Sequence, residues 1–143
     1  MIEYQKILNK NMLNVLKDIL INIRDNGLSS NNHLYITFLT NHKNVELPNW
    51  LKQKYPQEMT IIIQYEYYDL EINKNNFSIT LSFGDIKTNL KINYNAIVSF
   101  ADPSANFGLI LQKSKIQKKV NKKLETNISK KDNVINFSNY KKN

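Results

Sequence analysis

Two alternating stretches separated by a glycine constrain the fold of this chain more than any other feature. Residues 77–83 (FSITLSF) place apolar and hydroxyl side chains at alternate positions, and residues 86–94 alternate again. A period of two is typical of a strand with one buried face. Gly84 and Asp85 between the two runs allow a tight reversal. The pattern predicts an antiparallel meander, whose second strand turns three apolar side chains inward: Leu90, Ile92 and Tyr94.

An amphipathic helix is predicted over residues 4–26, ending at Gly27, which suits a helix C-terminus. Its apolar side chains recur at helical spacing: Tyr4, Leu8, Met12, Val15, Leu16, Ile19 and Ile23. Leu13 and Leu20 widen this stripe beyond what packing on one sheet needs. The surplus indicates a second partner, most simply the same helix of another subunit in a two-fold dimer. A loop of the same chain covering this flank is the alternative.

Short strands with turn signals between them account for the rest of the first 111 residues. They are predicted at residues 33–39, 59–65, 95–100 and 107–111, with one helical turn between the two prolines at 48 and 56. Evenly spaced short strands behind one helix favour a small, strongly bent barrel or sandwich. A chain of 143 residues is long enough to bury a core of its own.

The net charge of +8 lies entirely in the C-terminal part of the chain. Residues 1–111 carry ten basic and ten acidic side chains, whereas residues 112–143 carry ten lysines against Glu125 and Asp132. Residues 112–133 lack a sustained apolar period, so they are predicted to be a flexible Lys-rich linker. Nucleic-acid binding by this basic segment is the alternative. Residues 134–143 regain apolar side chains, which indicates a short docking peptide unless the pattern is a chance fluctuation.

The sequence contains no motif for catalysis or metal binding. The absence of cysteine excludes disulfides and cysteine-based zinc sites and suits a reducing cytoplasm, and no apolar run approaches the length of a membrane span. The two histidines and three glycines form neither a metal-binding pattern nor a phosphate-binding loop. The sequence therefore predicts a soluble cytoplasmic protein that is not an enzyme and needs no cofactor or metal.

Several segments of the chain together resemble the stringent starvation protein B (SspB) family, in its α-type branch. They are HLYITF, YPQEMTIIIQYEYYDLEI, FSITLSFGDIKTNLKINYNAIVSFADPSANFGL and the terminal VINFSNYKK. The resemblance implies a fold that is mainly β with an N-terminal α-helix, its two antiparallel sheets forming an Sm-like partly open barrel. It also implies a homodimeric adaptor, joined through the helix at Leu13 and Leu20. Such adaptors bind ssrA-tagged polypeptides and deliver them to the ClpXP protease.

The resemblance further implies a groove that holds the tag in extended form within a substrate-binding domain at residues 1–111. Our candidates for its lining are Thr80, Ser82, Phe83, Gly84, Phe100, Ala101, Phe107 and Gly108. The two glycines lack a Cβ and permit close approach of a backbone, and the hydroxyls can meet peptide groups. For Phe83 and Phe107, a plain core position is the alternative.

The resemblance assigns residues 134–143 to docking on the N-terminal zinc domain of the ClpX unfoldase. The expected contacts are Val134, Ile135, Phe137, Tyr140, Lys141 and Lys142. Ser138 stands where the family ending has an aspartate, so the resemblance implies the general docking mode but not the finer specificity. Two other classes of function remain open at this point: an Sm-like RNA-binding module with a basic tail, and an enzyme whose site the sequence does not reveal. The balanced charge of residues 1–111 argues against nucleic acid as a partner.

Overall fold

The computed structural model describes residues 1–111. The predicted linker at 112–133 and docking peptide at 134–143 lie outside the described residues. Within residues 1–111, two α-helices and seven strands follow one another: α1 (Tyr4–Asn26), β1 (Leu34–Leu39), α2 (Asn49–Lys54), β2 (Glu58–Ile63), β3 (Tyr68–Ile72), β4 (Asn76–Phe83), β5 (Ile86–Asn93), β6 (Ile97–Asp102) and β7 (Phe107–Ile110). Neither helix among these residues has the length and apolar character needed to cross a membrane.

The strands form two antiparallel sheets that do not close into a full barrel. One sheet has four strands in the order β2-β1-β6-β7, and the other has three in the order β3-β4-β5. Each sheet contributes its apolar face to one core, in which the largest fully buried rings are Phe38, Phe77 and Phe100. The predicted fold class, an N-terminal helix followed by two antiparallel sheets in a partly open barrel, is therefore confirmed.

The β4–β5 hairpin has the register that the alternating sequence predicts. Its strands pair from Asn76↔Asn93 to Phe83↔Ile86 without interruption. Gly84 at the turn has φ of 65°, in the left-handed region that glycine adopts at little cost. The three side chains predicted to point inward on this arm, Leu90, Ile92 and Tyr94, are buried.

Helix α1 has the predicted bounds, but its rotation about its own axis differs from the prediction. The Gly27 N–H donates a 2.8 Å hydrogen bond to the Ile23 carbonyl and ends the helix. Four side chains form its buried stripe: Met12, Leu16, Leu20 and Ile23. Leu20 is fully buried in the core of its own chain, whereas Tyr4, Leu8 and Val15 are exposed. About half of the helix surface is apolar, so the sequence alone did not determine which part of it the sheets cover.

A carboxylate network fixes the connection between β6 and β7. Asp102 is nine-tenths buried and accepts hydrogen bonds from the Asn32 amide at 2.8 Å and from the Ser104 hydroxyl at 2.5 Å. Burial alone would raise the pKa of Asp102. The hydrogen bonds from Ser104 and Asn32, and from the backbone at His33 and Ala105, outweigh burial and lower the pKa below its usual value. The network ties the segment before β1 to the end of β6.

Candidate functional site

An open cleft lies where the two sheets fail to meet, between β2 and the end of β4. It has a volume of about 520 Å³. Its lining comes from β2, from the segment that follows β2, and from β4: Thr60, Ile61, Ile62, Gln64, Tyr65, Glu66, Leu81, Ser82 and Phe83. Among these described residues only Glu66 carries a charge at neutral pH. The cleft is therefore a mixed apolar and hydroxyl-bearing surface with little net charge.

The sheet order leaves a strand edge without a neighbouring strand on each side of this cleft. Among residues 1–111, strand β2 is the outermost strand of its sheet and pairs with no strand except β1. Strand β4 pairs with β3 from Phe77 as far as Tyr68↔Thr80, so within the described part of the chain its last three residues pair with β5 alone. Backbone groups on such an edge can bond to an added strand. The cleft can therefore hold an extended chain between two strand edges.

Two of the residues that line the cleft, Tyr65 and Phe83, are aromatic, and each contacts a further ring. The Phe83 and Trp50 rings make an edge-to-face contact with centroids 6.2 Å apart, which positions Phe83 from the side of α2. The Tyr65 ring packs against His33 in the same geometry, with centroids 6.0 Å apart. Trp50 and Tyr65 are both exposed. These rings provide rigid apolar surface for side chains of a bound chain at a low cost in conformational entropy.

The structure brings only part of the sequence-predicted groove to this cleft. Ser82 and Phe83 line it directly. Thr80 lies two residues before Ser82 on β4, where its hydroxyl accepts a 3.0 Å hydrogen bond from the Asn89 amide. Gly84 follows in the exposed turn and adopts a left-handed conformation. Of the four predicted lining residues on β4 and its turn, two therefore line the cleft and two lie next to the lining residues along the chain.

The other four predicted residues lie on β6 and β7, at the opposite side of the four-stranded sheet. Three inter-strand spacings of about 4.8 Å separate β2 from β7, or about 14 Å in total. Phe100 is fully buried and Ala101 nearly so, and the Phe107 ring packs against Phe100 with centroids 6.1 Å apart. A Cβ on Gly108 would lie 3.3 Å from the Ala101 Cβ, so this glycine serves close cross-strand packing. None of the four lines the cleft.

Strand β2 and the segment after it supply the lining that the sequence analysis missed. The apolar run MTIIIQY at 59–65 predicts a strand, but only the sheet order makes this strand an outer one. Ile62 is the residue whose position in the sequence could have indicated this part of the lining. Its side chain points away from buried Ile61 and Ile63 and is half-exposed. A single partly exposed isoleucine is ordinary on a protein surface, so it becomes informative only once the sheet order places it at the cleft.

The two residues predicted for the dimer contact are not at an exposed apolar surface. Leu20 is part of the core, and Leu13 is half-buried at the side of a second groove. Three exposed apolar side chains of the helix, Tyr4, Leu8 and Val15, fall within an arc of about 40° on its other flank, whereas exposed Ile7 and Ile21 lie outside that arc. The six predicted ClpX-docking positions, Val134, Ile135, Phe137, Tyr140, Lys141 and Lys142, lie outside the described residues.

Within residues 1–111 no group of three or more His, Asp or Glu side chains is placed to hold a metal ion.

A protein-family model described as "SspB: Stringent starvation protein B" matches residues 7–142, which is almost the whole chain. No curated protein matches the chain.

Proposed function

The chain belongs to the stringent starvation protein B family, and we propose that it is a cytoplasmic proteolytic adaptor for the ClpXP protease. It binds ssrA-tagged polypeptides in extended form and tethers them through its C-terminal residues to the N-terminal zinc domain of ClpX. Membership of an adaptor family supports the general role. The cleft between the free edges of β2 and β4 is the single observation that carries the peptide-binding part of the proposal.

Strand addition is the binding mode that this cleft suits. A peptide laid along β2 bonds through its backbone, while its alternate side chains meet Ile62 on one side and Phe83 on the other. Backbone pairing gives affinity for any extended chain, and the surfaces around the rings select among sequences. The near absence of charge in the cleft favours recognition through shape and amide groups rather than through ion pairs.

The tail supplies the second contact of the adaptor. Residues 134–143 keep an aliphatic pair at Val134 and Ile135 and a basic ending at Lys141 and Lys142, as the family ending does. A connecting chain of about twenty residues spans roughly 25 Å root-mean-square. Two tails on a homodimer dock together, which raises their combined affinity through effective concentration. The exposed stripe of Tyr4, Leu8 and Val15 on α1 is the surface we assign to the dimer contact.

Two isoleucines on opposite edges of the four-stranded sheet give a matched test of the cleft. Ile62 lies on β2 at the cleft, and Ile110 lies on β7 with 45% of its surface exposed. We expect Ile62→Arg to weaken binding of a fluorescent ssrA-tag peptide by about tenfold or more, because the side chain fills the cleft with a charge. Ile110→Arg should leave the affinity within about twofold. The reverse result would move the peptide to β7.

A second experiment separates peptide binding from delivery. Deleting residues 134–143 should abolish the stimulated degradation of a tagged substrate by ClpXP and leave tag-peptide affinity unchanged. A control peptide with the internal tag residues scrambled should not bind the full chain. Equal delivery by the truncated protein would contradict the tethering role. Saturable binding of the scrambled peptide would contradict tag recognition.

A further inference from the structure

A groove beside the first half of α1 concentrates positive charge, although the charges of residues 1–111 balance as a whole. It lies between α1 and the two turns at the open end of the β4–β5 hairpin, and its volume is about 900 Å³. Four lysines line it: Lys6, Lys10, Lys17 and Lys74. Six asparagines join them, and none of the lining residues from the described part of the chain is acidic. Residues 1–111 as a whole carry ten basic and ten acidic side chains, so charge is segregated here.

The groove is remote from the peptide cleft. Strand β4 begins at Asn76, beside the turn that borders the groove, and ends at Phe83 in the cleft. Eight residues of strand span about 23 Å. On α1 the groove lies on the flank of the buried stripe opposite Tyr4, Leu8 and Val15. A ligand in the groove therefore leaves both the cleft and the proposed dimer surface open.

The floor of the groove is held in place by its own contacts. The Lys17 Nζ lies 4.7 Å from the centroid of the Tyr94 ring, which fixes this ammonium over a buried aromatic face. The Tyr94 hydroxyl donates to the Asn73 carbonyl at 3.2 Å, and its backbone N–H donates to the Asn75 carbonyl at 3.0 Å. The Asn93 side chain accepts from the Asn95 N–H at 2.8 Å. A site that is ordered in advance loses less entropy on binding.

We propose that this groove binds an acidic, extended segment of a partner protein. Lysine ammonium groups attract carboxylates, and the asparagine amides both donate to and accept from the peptide groups of a bound chain. Lys6 contributes least, because Glu3 Oε1 lies 3.9 Å from its Nζ. Lys10, Lys17 and Lys74 form the centre of the site. The groove thus gives the protein a second recognition surface, selective for negative charge, apart from the nearly uncharged cleft.

The lining favours an acidic peptide over RNA. Proteins bind single-stranded RNA largely by stacking bases on exposed aromatic rings. Tyr94 is the one aromatic residue among the described residues of the groove, and only 4% of its surface is exposed. The Lys17 ammonium also covers its ring. Charge attraction is therefore available to a polyanion here, but a stacking surface for bases is not.

Two charge-matched variants of the full-length chain test the proposal. The probe is a fluorescein-labelled peptide of about twelve residues of alternating Glu and Gly, measured by anisotropy at about 50 mM salt. We expect Lys10→Glu with Lys74→Glu to weaken binding by roughly tenfold or more. The control, Lys52→Glu with Lys54→Glu on α2, makes the same charge change away from the groove and should alter the affinity by no more than about twofold. Both variants keep all ten lysines of residues 112–143, so any affinity of that segment is the same in both.

The location of binding and the class of ligand have their own readouts. Amide chemical shifts of the ¹⁵N-labelled full chain should change in residues 6–17 and 93–95 when the peptide is added. Equal weakening by both double variants, or shifts confined to residues 112–143 or to the cleft, would overturn the proposal. A uridine oligomer of the same length serves as the competing ligand class. If it binds the wild type more tightly than the acidic peptide does, and binds the groove variant alone more weakly, the groove is a nucleic-acid site instead. A thermal midpoint matching that of the control variant establishes that the groove variant is folded.

Discussion

The buried Asp102 carboxylate makes stability depend on pH in a way that one substitution isolates. Asp102→Asn keeps the size of the side chain and removes its charge. The new amide places a donor against Asn32 Nδ2 or the Ser104 hydroxyl, which both donate to the carboxylate in the wild type. The Asn32 amide can rotate to accept, but its oxygen also accepts from the Ser29 hydroxyl at 2.6 Å. Hydrogen bonds to a charged group contribute about 1.5–3 kcal/mol, so we expect a loss of about 2 kcal/mol at neutral pH.

The direction of the pH dependence follows from the lowered pKa of Asp102. The folded pKa lies below that of an unfolded aspartate, which is about 3.9. The carboxylate therefore contributes its full stabilisation above the unfolded pKa and loses it as the pH falls through the folded pKa. Urea unfolding of the full chain should show a gap of about 2 kcal/mol between wild type and variant near pH 6, and the gap should shrink as the pH falls below the unfolded pKa of about 3.9.

Asp85→Asn is the control for this measurement, because it is the same substitution at an exposed position in the β4–β5 turn. Its effect on the free energy of unfolding should stay within about 0.5 kcal/mol at either pH. A gap between wild type and Asp102→Asn that stays constant from neutral to acidic pH would refute the assignment of stability to the charged carboxylate. A gap as small as that of the control would refute the importance of the network.

Three further predictions concern the core, the hairpin and the helix. Leu16→Ala should lower the free energy of unfolding, measured by urea denaturation, by about 2–5 kcal/mol, because Leu16 is fully buried. Val15 is exposed, so Val15→Ala should lower it by less than about 1 kcal/mol. Similar losses for the two variants would contradict the observed rotation of the helix. Gly84→Ala should cost about 1–2 kcal/mol because φ is 65°, and an unchanged unfolding midpoint would contradict the turn geometry. Leu8→Glu should weaken dimerisation by roughly tenfold or more, as measured by analytical ultracentrifugation. Ile21 is exposed elsewhere on α1, so Ile21→Glu should leave the dimer affinity unchanged. If Leu8→Glu also leaves it unchanged, the proposed contact surface is wrong.

The sequence predicted those features of the fold that depend on local patterns. Helix α1 has the predicted bounds because its apolar period is sustained and Asn26-Gly27 ends it. The β4–β5 hairpin has the predicted register because its alternation continues on both sides of Gly84. In both cases the residues that decide the structure are close together along the chain.

The features that the sequence did not predict depend on which elements become neighbours. The rotation of α1, which buries Leu20 and exposes Leu8, is decided by the sheets that cover it. The cleft arises because β2 is the outermost strand of its sheet and β3 pairs with only part of β4. The sequence analysis grouped Phe107 and Gly108 with Ser82 and Phe83. Ser82 and Phe83 lie at this cleft, whereas Phe107 and Gly108 lie on β7. Alternation of side chains reports the face of a strand and not its place in the sheet.

Intermolecular nuclear Overhauser effects show most directly whether a tagged peptide binds in the cleft between β2 and β4. The experiment uses the isotope-labelled full chain with an unlabelled peptide that ends in the ssrA tag. We expect contacts from the peptide to Ile62 and its β2 neighbours and to Ser82 and Phe83 on β4, with the peptide backbone extended. Contacts confined to β7 around Phe107 and Gly108, with the protons of Ile62 and Phe83 unaffected, would contradict binding in this cleft.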